Sequence, residues 1–169
     1  TWETSRMIGD LAMRLLQAVV AAQISTASVP SDNIEKVTCL AQNMWFEARG
    51  SSVSDQLAVA HVVLNRVADP RYPDAVCDVV WQPKQFSWTH DGRSDRVRFA
   101  NATDRRIWKE LVQLSMAAMA GQLDDPTGGA THYHADYVRP DWAQRMDLLI
   151  RIDDHLYYRT EGGARLSSS

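Results

Sequence analysis

The sequence predicts a mainly helical α+β domain, a body of amphipathic helices carrying a small antiparallel sheet. Three observations lead there. Apolar residues recur at spacings of three and four through most of the chain before Asp125, as one face of a helix requires. From Asp125 the texture changes: Pro126-Thr-Gly-Gly129 reads as a turn, and alternation replaces the helical period. The chain has 169 residues, 45% of them hydrophobic and 23% charged, without an internal repeat or interdomain linker, so one globular domain is expected.

In order along the chain, Ile8, Leu11, Leu15 and Val19, widened by Ala12 and Leu16, predict a packed amphipathic helix within residues 1–30. An arginine ahead of an apolar run that ends in Ser25, Thr26 and Ala27 also has the shape of an export or weak membrane-anchor segment, the lesser alternative. Ser28, Pro30 and Ser31 break this helix. Ser31 or Asp32 caps a second one that runs to about Arg49 and stops at Gly50. Ser52-Val-Ser-Asp55 has the spacing of a capping box, and Leu57, Ala60, Val63, Leu64 and Val67 follow as a central helix up to Pro70. A short helix is expected over Asp74 to Gln82, a brief strand over Gln85 to Trp88, a polar loop from Thr89 to about Asn101, and a long helix from Asp104 to Gly121. Thr131 to His134 should be extended, and Leu148 to Arg159 should form a hairpin bending at Asp153-Asp154. The expected organisation is thus an N-terminal helix over residues 1–30, a main folded domain over 31–160 and a flexible tail over 161–169.

A net charge of −3 provides no basic surface to displace counterions from nucleic acid, so DNA and RNA are not expected partners. Cys39 and Cys77 are too few for a disulfide scaffold and match no zinc ribbon; one bridge closing a loop of about 38 residues or two buried thiols both remain open.

Glu47 ends an otherwise apolar helix, beside Phe46 and near Trp45. An apolar surround disfavours the ionised carboxylate, which makes a proton donor for glycosidic cleavage. A helix-end salt bridge with Arg49 or another arginine is the bland alternative. His132 and His134 would share one face of a strand at a spacing compatible with metal ligation or with groove lining, but no third ligand has a recognisable spacing, so no metal or cofactor is expected. Tyr133 and Tyr137 could meet a sugar face or close the core, and Trp81, Trp108 and Trp142 fit the core better than a stacking platform. Asn65 and Arg66, after an apolar run, could brace the catalytic helix; Asp69 and Asp74 read as cap and turn residues.

The segments CLAQNMWFEARG and DQLAVAHVVLNRVADPRYPDAVCDVVWQPKQFSW, joined later by GGATHYHADYVRPDWA from Gly128 to Ala143, resemble the SleB-type cell-wall hydrolases, the family of spore cortex-lytic enzymes. The resemblance implies a lysozyme-like, lytic-transglycosylase-like helical body with Glu47 as the acid/base at a helix end facing a glycan groove. Gln85, Phe86 and Ser87 fall in the family's second signature and resemble groove-lining groups; alternation would send Gln85 and Ser87 to one side and Phe86 to the other. His132, Tyr133 and His134 complete the expected substrate contacts. Residues 1–30 have no counterpart in the family, and Thr131-His-Tyr-His134 resembles proteobacterial and phage members, which favours ordinary peptidoglycan over spore cortex.

No second carboxylate has a clear catalytic position, although hydrolysis with inversion or a covalent sugar intermediate would normally need one. The expected reaction is therefore that of a lytic transglycosylase on the β-1,4 bond between N-acetylmuramic acid and N-acetylglucosamine, leaving 1,6-anhydro ends. The alternatives are a hydrolytic muramidase, a zinc-dependent wall amidase or peptidase using His132 and His134, and a noncatalytic wall-binding phage tail component. The expected partner is the glycan strand of peptidoglycan, and the expected place is the periplasm or cell wall, for a bacterial enzyme or a phage-encoded or virion-associated lysin.

Overall fold

Leu40, Ala41, Met44, Trp45 and Ala48 turn one continuous stripe inward along helix α1, Ser31–Ala48, the spacing that a helix needs to bury a face. A computed structural model describes residues 31–160. The expected N-terminal helix and the tail lie outside the described residues. Cys39 and Cys77 are disulfide-bonded, with their Cα atoms 5.4 Å apart, and so tie α1 to the short helix α3, Val76–Val80.

Helix α2, Val53–Val67, is apolar on two faces. Val59, Ala60 and Val63 join Leu40, Met44, Trp45, Val79, Val80, Phe86 and Leu111 in the main core. Ala58 and Val62 look the other way, into a second cluster with Ala130 and Tyr157. A helix covered on both sides is central, as the sequence leads one to expect. Its N-cap, Ser52, accepts a hydrogen bond from the Asp55 amide at 3.3 Å. Helix α4, Ala102–Met119, starts at Asn101, whose side chain accepts from the Asp104 amide at 2.9 Å, and turns Leu111, Ser115 and Ala118 inward.

The sheet has the order β1-β3-β2 with all pairs antiparallel; β1 is His132–Ala135, β2 Asp147–Ile152 and β3 His155–Arg159. Asp153, at φ +48°, and Asp154 make the hairpin bend where the sequence predicts it. Entry into β1 is held by a knot around Asp125, which accepts from the Thr127 and Gly129 amides at 2.8 Å and from Asn65 Nδ2 at 2.9 Å. Gly128 and Gly129, at φ +69° and +98°, turn the chain through a region that other residues avoid. Arg66 Nε donates to the Thr131 carbonyl at 2.7 Å. Asn65 and Arg66 therefore brace the start of β1 rather than the helix that carries Glu47.

The expected strand at Gln85 to Trp88 does not form. Lys84 turns at φ +63°, and Ser87–Thr89 is a single 3-10 turn. No edge of the three-stranded sheet pairs with this segment, and an unpaired strand leaves its amides and carbonyls unsatisfied. Phe86 and Trp88 are buried all the same, with Trp88 Nε1 donating to Asn43 Oδ1 at 3.1 Å. Among the described residues no helix is long and apolar enough to cross a membrane.

Candidate active site

Glu47 lies in the last turn of α1, and its neighbours come from the sheet. The end of α1 is fixed by Gln56 of α2, whose buried amide donates to the Ala48 carbonyl at 3.2 Å and to the Ser51 carbonyl at 3.3 Å. The Glu47 side chain is half-buried, not sealed. Arg49 does not pair with it: its guanidinium lies 4.9 Å from the centre of the Trp45 ring. Among the described residues Glu47 makes no ion pair. Burial pushes its carboxyl above the usual carboxylate range, against smaller opposing effects of the Tyr133 hydroxyl and of His155. The salt-bridge alternative is thereby corrected.

Tyr133 reaches Glu47 because strand alternation turns it, with Ala135, to the helical side of β1. Its hydroxyl is buried and among the described residues has no partner within hydrogen-bonding distance, yet lies close enough to bias the carboxyl. Burial and the Glu47 charge push the Tyr133 hydroxyl well up, so it stays protonated. Its ring contacts His155 edge-on at 5.2 Å, Tyr157 at 5.5 Å and Phe86 at 6.5 Å between centroids. His155 Nδ1 lies 2.8 Å from Asp55 Oδ2, and Tyr157 Oη donates to Asp55 Oδ1 at 2.7 Å. Asp55 is wholly buried.

The same alternation carries His132 and His134 to the opposite face of β1. There they pack on Trp142, at 5.3 and 5.5 Å, and His134 stacks on Tyr158 at 5.2 Å. His132 accepts or donates at Thr131 Oγ1, 3.0 Å away, and burial, helped by Arg66 and Arg71, pulls it down to about 4, so its imidazole is neutral at neutral pH. His134 uses both ring nitrogens, on the Ala135 carbonyl at 2.8 Å and Tyr158 Oη at 3.0 Å, and lines an open depression of about 430 Å³ with Arg139, Arg151 and Tyr158. His132 and His134 share a face, as their spacing predicts, but it is the face away from Glu47, and of the three expected substrate contacts only Tyr133 lies on the acid's side.

Phe86 is also corrected, for at 3% exposure it belongs to the core, beneath the Arg66 guanidinium at 5.5 Å. Gln85 and Ser87 are exposed on either side of it. Trp108 packs against the core as expected, whereas Trp81 is largely exposed and Trp142 covers the outer face of the sheet. Tyr137, at 83% exposure, closes no core. Asp55, His155 and Tyr157 are the site residues that sequence reasoning missed. A histidine 100 positions from its carboxylate leaves no local spacing to read. No group of three or more His, Cys, Asp or Glu side chains among the described residues is arranged to hold a metal.

Two solved structures share this fold. The catalytic domain of the Bacillus cereus SleB protein is 26% identical with a TM-score of 0.54, covering 74% of this chain and 91% of that one. The catalytic domain of a germination-specific lytic transglycosylase, SleB from Bacillus anthracis, is 24% identical with a TM-score of 0.57, covering 80% and 100%. Among curated proteins, the spore cortex-lytic enzyme of Halalkalibacterium halodurans is 34% identical over 128 residues, 75% of this chain and 35% of that protein. The corresponding enzyme of Oceanobacillus iheyensis is 27% identical over 141 residues, 78% of this chain and 46% of its own length. The chain thus spans a third to a half of these relatives. Among the described residues, four helices with a three-stranded antiparallel sheet take the arrangement of the SleB catalytic domain and so define the class: a lysozyme-like helical body carrying a small sheet. Residues 50–158 match the Cell Wall Hydrolase family, and the chain belongs to it. The match begins just after Glu47.

Proposed function

We propose that this chain is a lytic transglycosylase that cleaves the β-1,4 bond between N-acetylmuramic acid and N-acetylglucosamine in peptidoglycan, with Glu47 as its single acid/base. The observation that carries the reading is a half-buried carboxyl, held above its ordinary pKa by burial and, among the described residues, in no ion pair within 4 Å. Such a group keeps its proton toward neutral pH and can deliver it to the glycosidic oxygen. The oxocarbenium-like sugar then leans on its own acetamido group and on nearby dipoles. Glu47, now ionised, takes the proton from the C6 hydroxyl as that oxygen closes on C1, so the catalyst is regenerated and no water is consumed. Asp55, the carboxylate that approaches this cluster from α2, has both oxygens engaged and is sealed from solvent. It is not placed to activate water as an inverting hydrolase would require.

Tyr133 stands beside the acid, and exposed Gln85 and Ser87 remain available to a glycan. The zinc amidase alternative loses one of its two histidines, because His134 spends both nitrogens inside the protein. The work place that follows is the cell wall or periplasm, whether the bearer is a bacterium or a phage. Glu47→Gln, digested with purified sacculi, should fold and release no soluble muropeptides, a loss of at least two to four orders of magnitude. Retained lysis rejects the assignment of Glu47. Mass spectrometry of the wild-type products should show ends one water lighter than reducing ends; reducing ends alone would turn the answer to a muramidase.

A further inference from the structure

Resting on Glu47 as the acid/base, we propose that Asp55 and His155 form a buried carboxylate–imidazole pair that fixes a cationic ring beside Tyr133, within the reach of the Glu47 charge, to stabilise the carboxylate left once the proton has been given away. Both are positioning residues, acting on the substrate through Glu47.

The geometry is specific. Asp55 is wholly buried in the first turn of α2, and its two oxygens divide between His155 Nδ1 at 2.8 Å and Tyr157 Oη at 2.7 Å. A third bond, from the Ser52 amide to Asp153 Oδ2 at 2.7 Å, pins the hairpin bend to the same helix end. With Nδ1 engaged and the ring edge-on to Tyr133 at 5.2 Å, His155 has little freedom to turn. Its Nε2 has no protein partner among the described residues.

The need for a cation follows from the reaction. Giving up its proton makes Glu47 an anion in a sheltered place, where ionisation is costly. The titratable groups whose charges reach it are Tyr133 from β1 and His155 and Tyr157 from β3, while Arg49 of its own helix lies over Trp45. Of these only His155 can be positive. The groups that face His155 are Asp55 from α2, Glu47 from α1, Asp153 and Asp154 of the bend, Tyr133 from β1 and Tyr157 of its own strand. Burial pulls the imidazole down, but the bond to Asp55, its charge, and those of Glu47 and Asp154 outweigh it and raise the net value. The ring thus stays charged to higher pH than a free histidine. The arrangement orients a histidine by a buried carboxylate, as hydrolytic triads do, but here the histidine serves a neighbouring acid.

Three variants and one spectroscopic measurement test this. Asp55→Asn keeps an acceptor for Nδ1–H and removes the charge; His155→Gln removes the cation. Each should lower kcat on sacculi by about tenfold or more with KM little changed. A nearby cation favours the carboxylate, so losing it lets Glu47 hold its proton longer. The alkaline limb of the kcat/KM profile should therefore move up by about one pH unit. The His155 imidazole, titrated by NMR, should lose its proton at lower pH in Asp55→Asn, and also in Glu47→Gln, where one of the raising charges is gone. Glu47→Gln leaves the pair intact, so the titration stands even if the other two variants do not fold. An unmoved His155 titration in Glu47→Gln overturns the proposal, as does a folded His155→Gln with an unmoved pH limb. If Glu47→Gln lyses sacculi, the acid/base reading fails separately, whatever the titration gives.

Discussion

Glu47 works against the stability of the fold wherever it is ionised. Its folded pKa is raised, first by burial. The associated stability is fully present below the unfolded value, near pH 4.5, and is lost as pH rises through the higher folded value. Glu47→Gln carries no charge at any pH, so it should equal the wild type in thermal stability near pH 4 and exceed it near pH 8. Melting temperatures at the two pH values check this; a variant less stable at pH 8 would mean that the partners of the carboxylate, His155 among them, outweigh the cost of its burial. This residue was singled out by the resemblance of Glu47-Ala-Arg-Gly50 to the SleB-type family, because the apolar helix end alone left a salt bridge open. The neighbours were legible only in part. Alternation assigned Phe86 to the side opposite Gln85 and Ser87, yet a motif alone cannot tell whether a residue faces a groove or the core, and Phe86 faces the core. His132, Tyr133 and His134 read as one group in sequence, but a strand sends adjacent residues to different environments.

The entry to α2 is where local sequence and long-range contact divide one motif between them. Ser52-Val-Ser-Asp55 has capping-box spacing, and the Ser52 half forms as the motif predicts, at 3.3 Å to the Asp55 amide. The reciprocal half does not: Asp55 turns to His155 and Tyr157, and the Ser52 amide is taken by Asp153 from across the hairpin. A helix terminus can accept a substitute carboxylate, because what it requires is an acceptor near its free amides and not a particular residue. Removing the hydroxyl by Ser52→Ala should cost about 1 kcal/mol in denaturant unfolding. A loss several times larger would mean that the cap, rather than Asp55, anchors the hairpin. Helices with continuous apolar stripes, such as α1 and α4, were readable to within a few residues, since their pattern depends only on local spacing. The segment at Gln85 to Trp88 was not, because a strand exists only through a partner, and none of the sheet edges reaches it.

At the scale of the molecule, two apolar clusters meet through α2, one among the helices and one under the sheet, and Glu47 sits where α1 ends against the strands. Such a seam depends on the helices keeping their relative positions, and one covalent link serves that. The disulfide Cys39–Cys77 joins the middle of α1 to α3 across 38 residues that include Glu47, all of α2 and its cap. Spacing alone left bridge and thiols equally open, since the decisive quantity, a Cα separation of 5.4 Å, is set by packing. Closing a loop of this length removes conformational freedom from the unfolded chain, a contribution of about 4 kcal/mol on the chain-entropy estimate. For a domain of this size that corresponds to roughly 10 to 15 °C in melting temperature. The double substitution Cys39→Ser, Cys77→Ser should show that loss in calorimetry. Below its own melting temperature the variant should still lyse sacculi, because the remaining core contacts define the same native arrangement. The wild type under a strong thiol reductant should drop by a similar amount while the variant does not respond. A reductant effect shared by both would locate the loss elsewhere than in this bond.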